Sequence, residues 1–337
     1  MTSESVAVIG IGNWGAALAK LLVRNGHSVR LWASSPRQRA RLLRERDKKM
    51  SHAAIAIEVD LEVLRREASQ FLIAVPSRSF RAVLRELRPA KDVTLAWATK
   101  GLEPGSSLLL SEVIEQEVGP DCKCAAASGP TFASEVTRGL PGALTVASRR
   151  HTVASMVAGW FRNDRMIIHT SRDLVGVQIG GATKNVIAIA AGISDGLGFG
   201  ANARAAIITR GLDEVMRLGN AMGGQPETFH GFAGIGDLVL TCTDDSSRNR
   251  RVGLGLGRGE RLGAILAQIG QETEGVATAR ELHHMARRCG VEMPIVEQVY
   301  RVLYEDESPR ASIETLFRSR PRRELLPVGP QALSLQA

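Results

Sequence analysis

The first third of the chain alternates short apolar runs with stretches of helical periodicity. Apolar runs at 5–9, 28–32, 71–75, 93–98, 123–127, 143–147 and 166–169 predict strands. The run at 71–75 is apolar throughout and is stopped by Pro76, as a parallel strand buried on both faces would be. Between the first two runs the spacing predicts a helix over 13–25, closed by Gly26 at C′. A charged helical stretch follows at 37–49. Strands alternating with helices predict βαβ units and a mostly parallel, doubly wound α/β sheet.

After Asp173 the pattern changes. Residues 174–192 run through Ala, Ile, Val and Gly without turn residues, which predicts a fully buried helix. Further helices are predicted at 203–218, 248–256, 262–269, 275–289, 295–304 and 311–317, with no strand signal of comparable strength. The division this implies is a dinucleotide-binding α/β domain over 1–172, an all-α substrate and catalytic domain over 173–325, and a poorly ordered tail over 326–337. A length of 337 residues suits two domains.

Composition narrows the class. Hydrophobic residues make up 44% and charged residues 23%, which excludes a disordered chain. The apolar stretch from Leu174 is interrupted by Gln178, Lys184 and Asn185, so no membrane span is expected. The start Met-Thr-Ser-Glu-Ser runs directly into a strand without signal-peptide features. The four cysteines (Cys122, Cys124, Cys242, Cys289) have no zinc spacing and read as buried, reduced thiols in a cytoplasmic protein. No metal site is expected. The net charge is +8, but the basic residues are scattered and no aromatic platform accompanies them, so the expected partner is a small molecule rather than nucleic acid. A positive chain also attracts phosphorylated small molecules.

The strongest local motif follows the first strand. Gly10-Ile-Gly12-Asn13-Trp14-Gly15 is a G-x-G-x-x-G between a strand and a helix. Gly10 permits the tight turn, Gly12 lets the backbone approach a pyrophosphate, and Gly15 lets the helix pack on the strand. The second strand ends Trp32-Ala33-Ser34-Ser35-Pro36-Arg37. It lacks the acidic residue that would bind a ribose 2′-hydroxyl, and it carries donors suited to a 2′-phosphate, so NADP is favoured over NAD.

In the second half, Lys184 sits among small and apolar residues. Gly180 and Gly181 lie one turn before it and Ala188 one turn after, an arrangement expected to leave room for a ligand beside the ammonium. Taken alone, Lys184 also fits a lysine paired with a carboxylate. Ser247-Arg248-Asn249 at a helix start offers donors to an anion, and Asp244 and Asp245 are expected to cap that helix.

Lys184-Asn185, Ala98-Thr99-Lys100-Gly101, Ser128-Gly129-Pro130-Thr131-Phe132-Ala133, Ala233-Gly-Ile-Gly-Asp237 and Ser247-Arg248-Asn249-Arg250 occur in one order. Together they resemble the bacterial type of the NAD(P)-dependent glycerol-3-phosphate dehydrogenase family, over about residues 6–323. The resemblance implies interconversion of dihydroxyacetone phosphate and sn-glycerol 3-phosphate, supply of glycerol 3-phosphate for phospholipid synthesis, and a homodimer. It places Lys184 at the proton donor and acceptor position, with Lys100 and Asp237 in the catalytic set. It places Lys100, Gly129, Lys184, Asp237, Ser247, Arg248 and Asn249 at substrate positions. Beside the glycine turn, it places Asn13, Trp14, Ser34, Lys100, Gly129, Thr131, Ala133, Arg248, Glu272 and Glu274 along the cofactor. The chain departs from the family in its shortened segment at 49–56 and in Ser34, where many members carry Arg.

Reduction of a ketone builds negative charge on the carbonyl oxygen, and an acid must protonate it. A lysine whose pKa is lowered by burial or by a second ammonium serves both needs. A reductase of the same build acting on another small keto acid, and a dinucleotide-sensing regulator, are the alternatives that the residues leave open.

Overall fold

The structure, a computed structural model, describes residues 5–34, 40, 55–90 and 92–318. Apart from residue 40, the predicted helix at 37–49 lies outside the described residues, as do Ser35 and the tail at 326–337. Among the described residues eight strands form one sheet: β1 (Ser5–Ile9), β2 (Ser28–Trp32), β3 (Ile55–Glu58), β4 (Gln70–Ile73), β5 (Thr94–Trp97), β6 (Lys123–Ser128), β7 (Gly142–Ala147) and β8 (Met166–Ser171). Their spatial order is β3-β2-β1-β4-β5-β6-β7-β8. All neighbouring pairs are parallel except β6 and β7, which run antiparallel. The doubly wound Rossmann-like sheet expected from the pattern is therefore present, extended by β7 and β8. Strand β3 was not anticipated. It is a four-residue edge strand in which only Ile55 is buried, too short and too weakly apolar to stand out.

The strands are apolar on both faces because helices cover both. Val6, Val8, Leu72 and Ala96 pack on one side with Leu18, Leu22, Val157, Trp160 and Phe161. Ala7, Ile9, Phe71, Ile73, Leu95 and Trp97 point the other way, against Leu64, Phe80, Leu84, Val113 and Ile114. Alternation within an all-apolar run is what two covered faces require.

Helix α1 (Asn13–Arg24) leaves the glycine turn and ends at Asn25, with Gly26 at φ +85° as the expected C′ residue. At the turn itself, Gly10 has φ +115°, and a Cβ there would lie 2.6 Å from the carbonyl oxygen of Ala74 on the neighbouring strand's exit. A Cβ on Gly15 would lie 2.0 Å from the carbonyl oxygen of Gly10. Both glycines are demanded by the protein's own packing.

The second half is built around one helix, Leu174–Gly196, four residues longer than the pattern suggested. Asp173 caps it by accepting from the Gly176 N–H at 2.7 Å. By length and composition it is apolar enough to cross a membrane, but 94% of that apolar window is buried inside the protein. It is the central rod of a helical core. Its first turn contributes Leu174 and Val177 to a sheet-face cluster, so the rod also joins the two halves. Gly200–Ala221, Arg248–Gly257, Glu274–Arg288 and Pro294–Tyr304 pack around it.

Two local expectations fail here. Cys289 is exposed, because it caps the solvent end of the Glu274–Arg288 helix. Cys242 is buried, which pushes its thiol up to about 12, while Cys122 and Cys124 are half-buried. Asp244 and Asp245 do not cap the Arg248–Gly257 helix. Ser247 does, accepting from the Arg250 N–H at 3.2 Å. Asp244 instead accepts from the Ser246 N–H, and Asp245 pairs with Arg250.

Gly15→Ala forces a methyl group onto fixed backbone. It is expected to destabilise the fold by about 1–3 kcal/mol, as overpacking of a rigid contact does. Urea denaturation of the unliganded protein checks this, and an unchanged midpoint would show that the turn yields.

Candidate active site

A cleft of about 330 Å³ opens between the sheet's carboxyl edge and the helical half. Asn13, Trp14, Lys100, Thr131, Ala133, Lys184, Ser247, Arg248, Asn249, Glu272 and Glu274, all singled out in the sequence, line it. The α1 entry is held in place from two sides. Trp14 Nε1 donates to the carbonyl of Ala98 at 3.2 Å, and Asn13 Nδ2 donates to Gln271 Oε1 at 3.0 Å.

The chemistry gathers on Asp237, whose residue is wholly buried. Lys184 Nζ pairs with its Oδ1. Lys100 Nζ donates to its Oδ2 at 2.7 Å, and Ser128 Oγ stands 3.5 Å from the same oxygen. The three charged residues come from the exit of β5, the central rod and the helix Asp237–Thr243.

Glycine placement explains how they meet. A Cβ on Gly180 would lie 2.4 Å from the carbonyl oxygen of Ala233, in the kinked turn Phe232–Gly236 that delivers Asp237. A Cβ on Gly181 would lie 2.8 Å from Ser128 Oγ. The space at Gly180 and Gly181 is therefore filled by the protein itself, not kept for a ligand as those glycines suggested, and Ala188 is a core residue, while Lys184 itself lines the cleft. These contacts let the rod approach until Lys184 reaches Asp237.

Lys184 is 6% exposed. Burial pushes its ammonium down to about 7, with the positive charge of Lys100 acting in the same direction and Asp237 opposing both. Across the cleft Glu274 is pushed up to about 7 by desolvation, against the pull of Arg248, Lys100 and Lys184. Two ammoniums on one carboxylate leave a net positive charge at the cleft wall.

At the other end, the first turn of the Arg248–Gly257 helix faces the cleft through Ser247, Arg248 and Asn249. Among the described residues Arg248 forms no salt bridge. Asn249 is committed to structure: Nδ2 donates to Asn185 Oδ1 at 2.8 Å, and Oδ1 accepts from the Gly275 N–H at 3.0 Å. Arg251, Thr241, Ser246, Asn185 and Gln271 also line the cleft without having been singled out. Asn185, Ser246 and Gln271 adjoin chosen residues, but nothing local marked Thr241.

Several chosen residues sit elsewhere. Gly129 does not line the cleft, and a Cβ there would lie 2.5 Å from the Ala143 carbonyl oxygen, so its glycine serves sheet packing. Glu272 lines the cleft but also pairs with Arg78 at 2.9 Å. Asp237 lies behind the lysines, not on the cleft surface.

The glycine turn fits a dinucleotide. A Cβ on Gly12 would meet nothing within 4 Å, and its φ of −61° suits any residue. Its side is an open cradle over the helix start. Gly12 as N-cap provides no side-chain acceptor, and the first turn of α1 carries no acidic residue. Those N–H groups face a site suited to a pyrophosphate.

A Rossmann-like sheet with an open phosphate cradle, set against a helical half that offers a buried lysine at the same cleft, defines a dinucleotide-dependent oxidoreductase. The comparisons specify which. The family model for the NAD-dependent glycerol-3-phosphate dehydrogenase N-terminus matches residues 5–154, and the model for its C-terminus matches residues 173–314. The chain is 54% identical over 325 residues to a glycerol-3-phosphate dehydrogenase [NAD(P)+] of Thioalkalivibrio sulfidiphilus, covering 94% of this chain and 98% of the relative. It is 49% identical to the protein of that name from Nitrosococcus oceani, covering 94% of each. The crystal structure of glycerol-3-phosphate dehydrogenase from Coxiella burnetii superposes with a TM-score of 0.88 at 38% identity, covering 94% of this chain and 99% of that one. The chain belongs to the NAD-dependent glycerol-3-phosphate dehydrogenase family.

Gly12→Val fills the cradle without touching the fold. It is expected to leave thermal stability unchanged and to weaken NADPH binding by ~10-fold or more, equivalent to about 1.4 kcal/mol. Fluorescence titration of NADPH checks this; equal affinity would place the phosphates away from the turn.

Proposed function

We propose that this enzyme interconverts dihydroxyacetone phosphate and sn-glycerol 3-phosphate with NAD(P)H, supplying glycerol 3-phosphate for phospholipid synthesis in the cytoplasm. We further propose that it works as a homodimer, to be tested by sedimentation. The observation that carries the reading is the Lys100–Asp237–Lys184 cluster facing the same cleft as Arg248.

The nicotinamide supplies or accepts the hydride when bound. Asn13, Trp14, Thr131, Ala133 and Glu274 are suited to hold it along the cleft, beyond the Gly10/Gly12/Gly15 turn. Lys184 donates its proton to the carbonyl oxygen as charge builds there, and takes it back in the reverse direction. Lys100 keeps a second positive charge beside that oxygen. Asp237 orients both ammoniums from behind, and Ser247 and Arg248 receive the phosphate. This division of labour favours a phosphorylated substrate over a bare keto acid.

The register of the sheet supports the cofactor reading. Ile9 pairs with Trp32, so Ser34 emerges beside the glycine turn. Trp32 pairs in turn with Glu58, whose carboxylate is turned onto the N–H groups of Val59 and Asp60. NADP is favoured on this ground. Ser34→Asp sets a carboxylate against a 2′-phosphate and is expected to raise the Michaelis constant for NADPH more than that for NADH. An unchanged ratio would mean that this strand end does not read the ribose.

Lys184→Met is expected to lower turnover by ~10²–10⁴ or more, since the acid and the electrostatic contribution vanish together. NADPH binding should persist. In the parent, ketone reduction needs the ammonium and should fall as pH rises through about 7, while alcohol oxidation needs the free amine and should rise over the same range. Lys100→Met removes a charge that depresses Lys184, so both limbs should move to higher pH. Rate profiles across pH in the two directions test the assignment, and an unshifted profile in the Lys100 variant would remove Lys184 as the titrating group.

A further inference from the structure

The Arg248–Gly257 helix and the central rod lie with backbones in direct contact. A Cβ on Gly253 would lie 2.0 Å from the carbonyl oxygen of Ile189, and one on Gly192 would lie 2.2 Å from that of Arg250. One turn on, a Cβ on Gly257 would lie 2.4 Å from the Ile193 oxygen, and one on Gly196 2.5 Å from the Leu254 oxygen. Both sets of glycines advance by four residues together, so the helices run parallel.

A glycine seam sets how closely two helices approach, but it presents nearly the same surface at each turn. It resists sliding along the axis poorly. That register decides how far Arg248, at the start of one helix, stands from Lys184, midway along the other.

Directional contacts are needed to hold it. One is the Asn249–Asn185 hydrogen bond at the cleft. The other is Arg250. Its side chain is only 9% exposed, and it does not line the cleft, although Arg248 and Arg251 do. Nη2 pairs with Asp195 Oδ2 at 2.6 Å, Nε donates to the Cys242 carbonyl at 3.1 Å, and Nη1 pairs with Asp245. Asp195 is equally buried, in the last turn of the rod, and also takes Arg204 Nη1 at 2.8 Å. It lies eleven residues beyond Lys184, about 16 Å along the helix at 1.5 Å per residue.

We propose that Asp195 and Arg250 are positioning residues for substrate phosphate: their buried ion pair locks the two helices in register and so fixes Arg248 relative to Lys184. The inference goes beyond the proposed function and uses its phosphorylated substrate. Arg250 lies off the cleft surface and acts through Arg248. It makes the phosphate grip of Arg248 productive at the distance a three-carbon phosphate spans.

The test compares substrates with and without the phosphate. In Arg250→Lys the charge stays but the planar fork is lost; in Asp195→Asn the shape stays but the charge is lost. For both variants, kcat/KM for dihydroxyacetone phosphate is expected to fall by ~10-fold or more, mainly through KM, as loss of about 1.4 kcal/mol in phosphate grip would give. Activity on unphosphorylated dihydroxyacetone and affinity for NADPH should hold. Equal losses on both substrates, or no loss on either, would overturn the proposal. If Arg250→Lys does not fold, Asp195→Asn carries the comparison. Failure of the parent to reduce dihydroxyacetone phosphate would instead sink the functional reading. In that case calorimetric titration of parent and variants with inorganic phosphate still decides the positioning role, since weaker binding by the variants supports it and equal affinities overturn it.

Discussion

One buried carboxylate holds the wall of the cleft together. Asp237 accepts an ammonium on each oxygen, from lysines 53 and 137 residues away in the chain. A carboxylate in that position is tolerable only because it is paired twice, and two lysines can approach each other only because a negative charge lies between them. Breaking such a buried arrangement from one side typically costs about 3–5 kcal/mol. With both lysines protonated, the cluster carries one excess positive charge at the cleft. That excess suits a site where negative charge builds on an oxygen.

Close approach at glycines helps to position this cluster. Gly180 admits the turn that delivers Asp237, and Gly181 admits the end of β6. Farther along the same rod, Gly192 and Gly196 admit the helix that carries Arg248. A larger residue at any of these positions would push a charged group away from its partner. The high glycine content, 34 residues, thus serves geometry between helices as well as the phosphate turn.

The cleft also shows how one helix can serve both halves. The central rod starts in the cluster on one face of the sheet and continues into the helical core. Lys184 lies midway along it. Glu281, from the helix that starts at Glu274, accepts from the Gly105 N–H and from Ser107 Oγ, in the loop that follows Lys100. The loop carrying the second ammonium is thereby tied to the helical half as well as to the sheet.

The local pattern alone determined the alternation of strands and helices, the glycine turn, the change to helices after Asp173 and the candidates Lys184 and Arg248, whereas Lys100 and Asp237 came from the family resemblance. These follow from side-chain periodicity, glycine conformation and charge, which are properties of neighbours in the chain. Strand β3 escaped because an edge strand of four residues has little apolar contrast. Only tertiary structure decided that Asp237 lies behind two lysines, that Asn249 is taken up by Asn185 and Gly275, that Gly180 faces backbone, and that Arg250 turns away from the cleft while Arg248 faces it. The reason is physical: two arginines two positions apart on a helix differ by about 200° in direction, and which direction meets the cleft depends on how the helix packs. Its contacts with the central rod join residues more than fifty positions apart, where spacing in the chain carries no information about distance in space.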